Sequence, residues 1–240
     1  MTDAAHARTA TVPTEGDASP RHRGRAVTVT SVSKAYHRGA EVVTALEDVS
    51  LTLDAGDLLA VSGPSGSGKT TLLNVLAGWE EPDHGQVRWA DDVDPRAPNW
   101  RSLAIAPQRL GLLSELTVGE NVELPLRLGC GADEDAARER LAAALELFGL
   151  GALAHRMPEE VSLGEQQRTA LARALVVAPR VLLADEPTGN QDAGWASGVI
   201  QGLRAAQADG TAVLVATHDE EVIARADRRL TMRDGRTLDP

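Results

Sequence analysis

The sequence predicts an α/β fold: a mostly parallel sheet buried on both faces, helices against it, and a helical lobe set into the middle of the chain. Three observations carry this prediction. Residues 63–70 read Gly63-Pro64-Ser65-Gly66-Ser67-Gly68-Lys69-Thr70, a phosphate-loop pattern GxxxxGK[ST]. It lies between an apolar strand-like run, Leu58-Leu59-Ala60-Val61, and a helix-like run over 71–77, the context that gives the pattern meaning. Two later runs, Val181-Leu182-Leu183-Ala184 and Ala212-Val213-Leu214-Val215-Ala216, lack polar alternation, as strands covered on both faces do. Between them and the loop, residues 117–157 are dominated by helix formers.

In chain order, residues 1–25 are rich in Ala, Thr, Pro, Gly and charge without hydrophobic period, so a disordered tail is expected. Within it Arg21-His22-Arg23-Gly24-Arg25 reads as a solvated basic run. Val27, Val29 and Val32, then Val42-Val43, then Val49, Leu51 and Leu53 read as strands. Turns follow at Asp54-Ala55-Gly56-Asp57 and Glu81-Pro82-Asp83-His84-Gly85, the second opening a strand over 86–89. Residues 103–106 read as a buried strand. Residues 136–150 place Leu141, Leu145 and Leu147-Phe148 on one helical face with charges opposite. A helix holding Trp195, Val199 and Leu203 joins the two apolar strands. Leu230-Thr231-Met232, Asp234-Gly235 and Arg236-Thr237-Leu238 read as a closing hairpin.

A chain of 240 residues suits one large α/β domain with a smaller lobe. Its net charge of −11 excludes general nucleic-acid binding, which needs a basic surface to displace counterions. Lys34 and Lys69 are the only lysines. The single cysteine, Cys130 between Gly129 and Gly131, excludes an internal disulfide or a multi-cysteine metal site. No apolar stretch approaches the ~20 residues that span a bilayer. The first residues, with Asp3, His6, Arg8, Glu15 and Asp17, lack the apolar core of a secretory signal. A cytoplasmic protein is expected, reaching any membrane through a partner.

The chemistry begins at the loop. Its glycines let successive backbone N–H groups face inward, and the following helix adds its positive end. Lys69 supplies a point charge for β- and γ-phosphates, and Thr70 offers a hydroxyl to Mg²⁺. A nucleoside triphosphate is the expected ligand. Ala184-Asp185-Glu186 ends a buried strand with two acids. Asp185 is placed to hold Mg²⁺ through water, and Glu186 to orient or deprotonate the attacking water. Ser162 followed by Glu165 is a capping box, so a helix with free N–H groups starts there.

Val161-Ser162-Leu163-Gly164-Glu165-Gln166-Gln167-Arg168 is similar to the signature LSGGEQQR, and from about Val27 onward the chain resembles the ATP-binding subunit of ABC transporters. Gln108 in Ala106-Pro107-Gln108 matches the family's Q-loop, and Asp192 in Gly189-Asn190-Gln191-Asp192 its D-loop. His218 in Ala216-Thr217-His218-Asp219 matches the switch histidine. Tyr36 sits where the family stacks an aromatic on adenine, with core or edge packing as the alternative. The resemblance implies a P-loop NTPase of ABC type spanning 26–240. It implies a RecA-like core sheet, an antiparallel β subdomain, and a helical signature subdomain at about 109–177.

The resemblance further implies ATP and Mg²⁺ as cofactors, with Thr70, Gln108 and Asp185 at the metal and Lys69, Gln108, Glu186 and His218 in hydrolysis. The loop from Gly63 to Thr70, with Thr71 and Tyr36, would hold one nucleotide. Ser162, Gly164, Glu165 and Asp192 would face the nucleotide of a second subunit, either another copy of this chain or a sibling ATPase. The implied partner is a separately encoded integral membrane permease, holding the protein at the inner face of the cell membrane.

Asp185-Glu186-Pro187-Thr188-Gly189-Asn190 and the stretch from Glu115 to Leu126 look like the branch serving macrolide export and lipoprotein release. The chain also departs from the pattern. Leu163 stands at the first signature glycine, Val161 at the usual leucine, and Gln191 at the usual D-loop leucine. Residues 91–101 look short of the arginine-rich connection common before the Q-loop. These departures suggest slow closure, and with it an alternative: an ATP-gated signalling module for a division- or stress-related permease.

Overall fold

The computed structural model describes residues 24–39, 41–90, 100–128, 133–189 and 193–238. Most of the tail, most of 91–101, Cys130, Gln191, Asp192 and the side chain of Trp195 lie outside the described residues.

Two long strands, β1 (Arg25–Arg38) and β2 (Glu41–Asp54), pair antiparallel, with β4 (His84–Trp89) on the other side of β1. The two short apolar runs expected at 42–43 and 49–53 belong to this single strand β2. Alternation breaks between them because the register shifts there, with Ser31 and Asp48 at positive φ. Ser31 N–H donates to Ser50 Oγ and Asp48 N–H to Ser33 Oγ. The irregularity is therefore a hydrogen-bonded bulge that bends the ribbon.

The second sheet has strand order β5-β6-β7-β3-β8-β9, from β3 (Leu58–Ser62), β5 (Leu103–Ala106), β6 (Val181–Asp185), β7 (Ala212–Ala216), β8 (Arg228–Arg233) and β9 (Arg236–Leu238). All neighbours are parallel except β8 and β9. That last pair is the expected hairpin. Asp234 and Gly235 both take positive φ, as a two-residue turn of matching twist requires.

Strands β3, β6 and β7 are buried at every position. Alternate residues serve opposite cores, which explains the missing polar alternation. Leu182, Ala184, Val213 and Val215 face a core shared with Phe148, Leu171 and Leu203. Leu183, Leu214 and Ala216 face one shared with Val29, Leu53 and Leu72. The first core is covered by helices and the second by α1 (Lys69–Leu76) and the antiparallel ribbon.

Between β5 and β6 lie α2 (Val118–Arg127), α3 (Glu134–Leu147) and α4 (Leu163–Leu175). The helical period over 136–150 corresponds to α3, with Phe148 and Leu150 just beyond it buried. Helix α2 starts at a capping box of Thr117 and Glu120. Asn121, fully buried, donates to the carbonyls of Leu113, Leu116 and Thr117 and accepts from Leu113 N–H. It thereby ties down the loop that leads from Gln108. Helix α5 (Ala193–Ala208) buries Val199 and Leu203, and α6 (Glu220–Arg225) precedes β8.

Candidate active site

The phosphate loop leaves β3 and is clamped by its neighbours. A Cβ at Gly63 would lie 2.1 Å from Met232 O, and one at Gly68, where φ is 102°, 2.3 Å from Ala45 O. Only glycine lets β8 and β2 press this closely on the loop. Gly235 N–H donates to Ser67 O at 3.1 Å, fixing the hairpin against it. Lys69 is buried, and its ammonium donates to Gly63 O at 2.8 Å and Pro64 O at 3.2 Å. Its charge is thus held beside the loop. Helix α1 has no side-chain cap at Gly68, which leaves its first N–H groups free for an anion.

The acids arrive at the end of β6. Thr70 Oγ1 donates to Asp185 Oδ2 at 2.9 Å. Burial pushes the Asp185 carboxyl above the ordinary carboxylate range; the Thr70 bond opposes that shift and the neighbouring Glu186 charge adds to it. Glu186 adopts a φ of 50°, a left-handed backbone that persists only where surroundings over-determine it. They do so here. Its N–H donates to Ala216 O, and its carbonyl accepts from Gly189 N–H at 3.1 Å and Gln167 Nε2 at 2.8 Å. Its carboxylate meets His218 Nδ1 at 2.9 Å and accepts from Thr217 Oγ1 at 3.3 Å. Register brings these groups together, since Asp185 is paired with Ala216 across β6 and β7.

These groups line one cleft of about 1030 Å³ at the carboxyl ends of the parallel strands, where open α/β sheets bind ligands. Of the residues expected at the site, Tyr36, Gly63 through Thr71, Gln108, Asp185, Glu186 and His218 all line it. Ser162, Gly164 and Glu165 do not. They start α4 elsewhere on the surface, where Ser162 Oγ accepts from Glu165 N–H and Glu165 Oε2 accepts from Ser162 N–H. Val43, Thr44, Ala45, Gln167 and Gly189 complete the lining. None was named as a site residue from the sequence: Gln167 and Gly189 stand inside the signature-like and D-loop motifs without a role of their own there, and the strand residues Val43, Thr44 and Ala45 carry no signal.

On the ribbon side, Tyr36 directs its hydroxyl to Glu80, which also accepts from Asn74 Nδ2. Burial first, then that hydrogen bond, raises the phenol above its usual pKa. Among the described residues no three His, Cys, Asp or Glu gather as a metal cluster. Thr70 Oγ1 and the Asp185 carboxylate meet as two oxygens, and Gln108 lines the same cleft; oxygen donors of this kind suit a hard cation.

Residues 46–189 match the family model described as ABC transporter. The chain belongs to the ABC transporter family. Its relatives include the lipoprotein-releasing system ATP-binding protein LolD of Shewanella oneidensis, 41% identical over 86% of this chain and 93% of the relative. The LolD protein of Gluconobacter oxydans is 40% identical over 89% and 95%. The macrolide export ATP-binding/permease protein MacB of Hyphomonas neptunium is 38% identical over 86% of this chain but 33% of its own length, so the chain spans about a third of that relative. A dimeric ATP-binding cassette in a post-hydrolysis state, bound to ADP and phosphate, superposes with a TM-score of 0.80 at 33% identity, covering 89% of this chain and 97% of that one. This chain is accordingly an ATP-binding and ATP-hydrolysing subunit of an ABC transporter.

Proposed function

We propose that this subunit is a Mg²⁺-dependent ATPase whose two nucleotide sites are built across a dimer, and that it drives a separately encoded export-type permease of the lipoprotein-release and macrolide-export branch. One observation carries the reading. Lys69, Thr70, Asp185, Glu186 and His218 share one cleft, while the capped start of α4, whose first N–H groups have no intrahelical partner, is not part of that lining. A second copy supplies those groups to the γ-phosphate, with Ser162 and Gly164 nearest and Asp192 at the seam.

Lys69 binds the β- and γ-phosphates, exchanging the two loop carbonyls for phosphate oxygens. Thr70 and Asp185, with Gln108, would hold Mg²⁺, which when bound would supply positive charge against the triphosphate. Glu186 orients and deprotonates the water, and His218 fixes that carboxylate. Tyr36 stacks on adenine, its ring held by the Glu80 contact. No described helix is long and apolar enough to cross a membrane; the protein sits at the inner membrane face on its permease.

Glu186→Gln tests the reading. Turnover should fall about 10²–10⁴-fold while Mg-ATP drives a stable dimer visible by light scattering. Normal hydrolysis in that variant would remove Glu186 from its role.

A second reading, an ATP-gated signalling module with slow hydrolysis, is favoured by Leu163. This leucine is 50% exposed beside the capped helix end, adding bulk at the surface meant for the partner's nucleotide. Leu163→Gly should preserve or raise turnover severalfold, at a stability cost of up to about 1 kcal/mol. A large fall in turnover would make Leu163 an adapted part of the site.

A further inference from the structure

Gln167 lies in the second turn of α4, is buried, and lines the ATP cleft. Its Nε2 donates at 2.8 Å to the carbonyl of Glu186, the residue with the left-handed backbone. Among the described residues the other donor to that carbonyl is Gly189 N–H at 3.1 Å, and a Cβ on Gly189 would lie 3.8 Å from Gln167 Nε2. Gln167, Glu186 and Gly189 are thus locked in one node. The remaining amide atom, Gln167 Oε1, is buried with no hydrogen-bond partner among the described residues. A buried acceptor left unpaired is costly, so packing alone does not account for glutamine here.

We propose that Gln167 is a positioning residue for hydrolysis, carrying movement of the α4 N-terminus to the Glu186 backbone and so setting where that carboxylate points. The proposal rests on Glu186 as base and on Ser162 as the contact to the partner's nucleotide. Ser162 and Gln167 are five residues apart on one helix, about 7.5 Å along its axis, within a rigid element. Arg168 Nε donating to Phe148 O and Arg173 donating to Leu110 O and Gly111 O fasten the rest of α4 to its surroundings. A shift at the capped end therefore reaches the Glu186 carbonyl through a single hydrogen bond. Glutamine suits the task because its amide is long enough to bridge from helix to strand end and carries the donor a carbonyl needs.

The test uses the full chain with Gln167→Met, which keeps length and volume but has no donor. Melting temperature should stay within about 4 °C, and Kd for Mg-ADP and for a non-hydrolysable ATP analogue within about twofold. The kcat should fall about 10- to 100-fold, the scale of a misplaced catalytic group. Gln167→Leu, which also lacks a donor and carries no charge, should show the same kcat-only loss should the methionine variant fail to fold. Added to Glu186→Gln, neither change should lower turnover further. A kcat within twofold of the parent, or a kcat loss matched by an equal loss of nucleotide affinity, overturns the proposal. Normal turnover in Glu186→Gln would instead overturn the assignment of the base, whatever Gln167 does.

Discussion

Asp185, the proposed metal ligand, is held in the cleft at a cost to the fold. Its carboxylate is buried at the end of β6, and that burial holds its pKa above the ordinary value. A raised pKa means the folded state favours the protonated acid. Stability from this group is complete below the unfolded carboxylate value and is lost as pH rises through the folded one. At neutral pH without nucleotide the ionised form is a local burden, which a bound cation would relieve. Asp185→Asn keeps an oxygen for Thr70 and removes the charge. We expect the nucleotide-free variant to melt about 2–4 °C higher at pH 7.5, with the gap closing as the pH falls toward 4, and Mg²⁺-dependent turnover to be lost. A variant that melts lower at pH 7.5 would contradict this account. Trading stability for a functional charge is common where a site needs a desolvated acid.

At the scale of elements, legibility follows how local the cause is. The phosphate loop, the Ser162 capping box and the Asp234-Gly235 turn depend on neighbouring residues, so the sequence displays them and the structure holds them in those forms. The buried strands are visible as uninterrupted apolar runs because both faces are covered. Strand β2 reads as two pieces because a bulge resets the register, and the β1 residues that fix it by hydrogen bonds, Ser31 and Ser33, are distant in sequence. A Cβ on Gly85 would sit 2.3 Å from Ser31 O. Asn121 is invisible for a related reason: it satisfies carbonyls of a loop, and backbone acceptors are the same in every sequence. Gln167 is hidden likewise, since its partner is the carbonyl of Glu186. Glu186 and His218 were found in sequence through motifs, but only the β6–β7 register brings them to 2.9 Å.

For the whole molecule, the decisive property is that the capped start of α4 is not among the residues lining the cleft, so in the proposed dimer two-fold symmetry would make two equivalent composite sites. This arrangement predicts complementation. Lys69→Ala spoils the phosphate loop and Ser162→Arg spoils the contact offered to a partner, so each variant alone should be inactive. In a mixed dimer one site carries both lesions, and the other joins an intact loop to an intact helix end. If sites fire independently, an equimolar mixture forms half mixed dimers with one working site each, and turnover should recover to about a quarter of the parent. Sites complete within one chain would give no recovery at any ratio, because every copy would carry its own lesion. Titrating one variant against the other separates the outcomes: composite sites give activity peaking at equal proportions and vanishing at both ends.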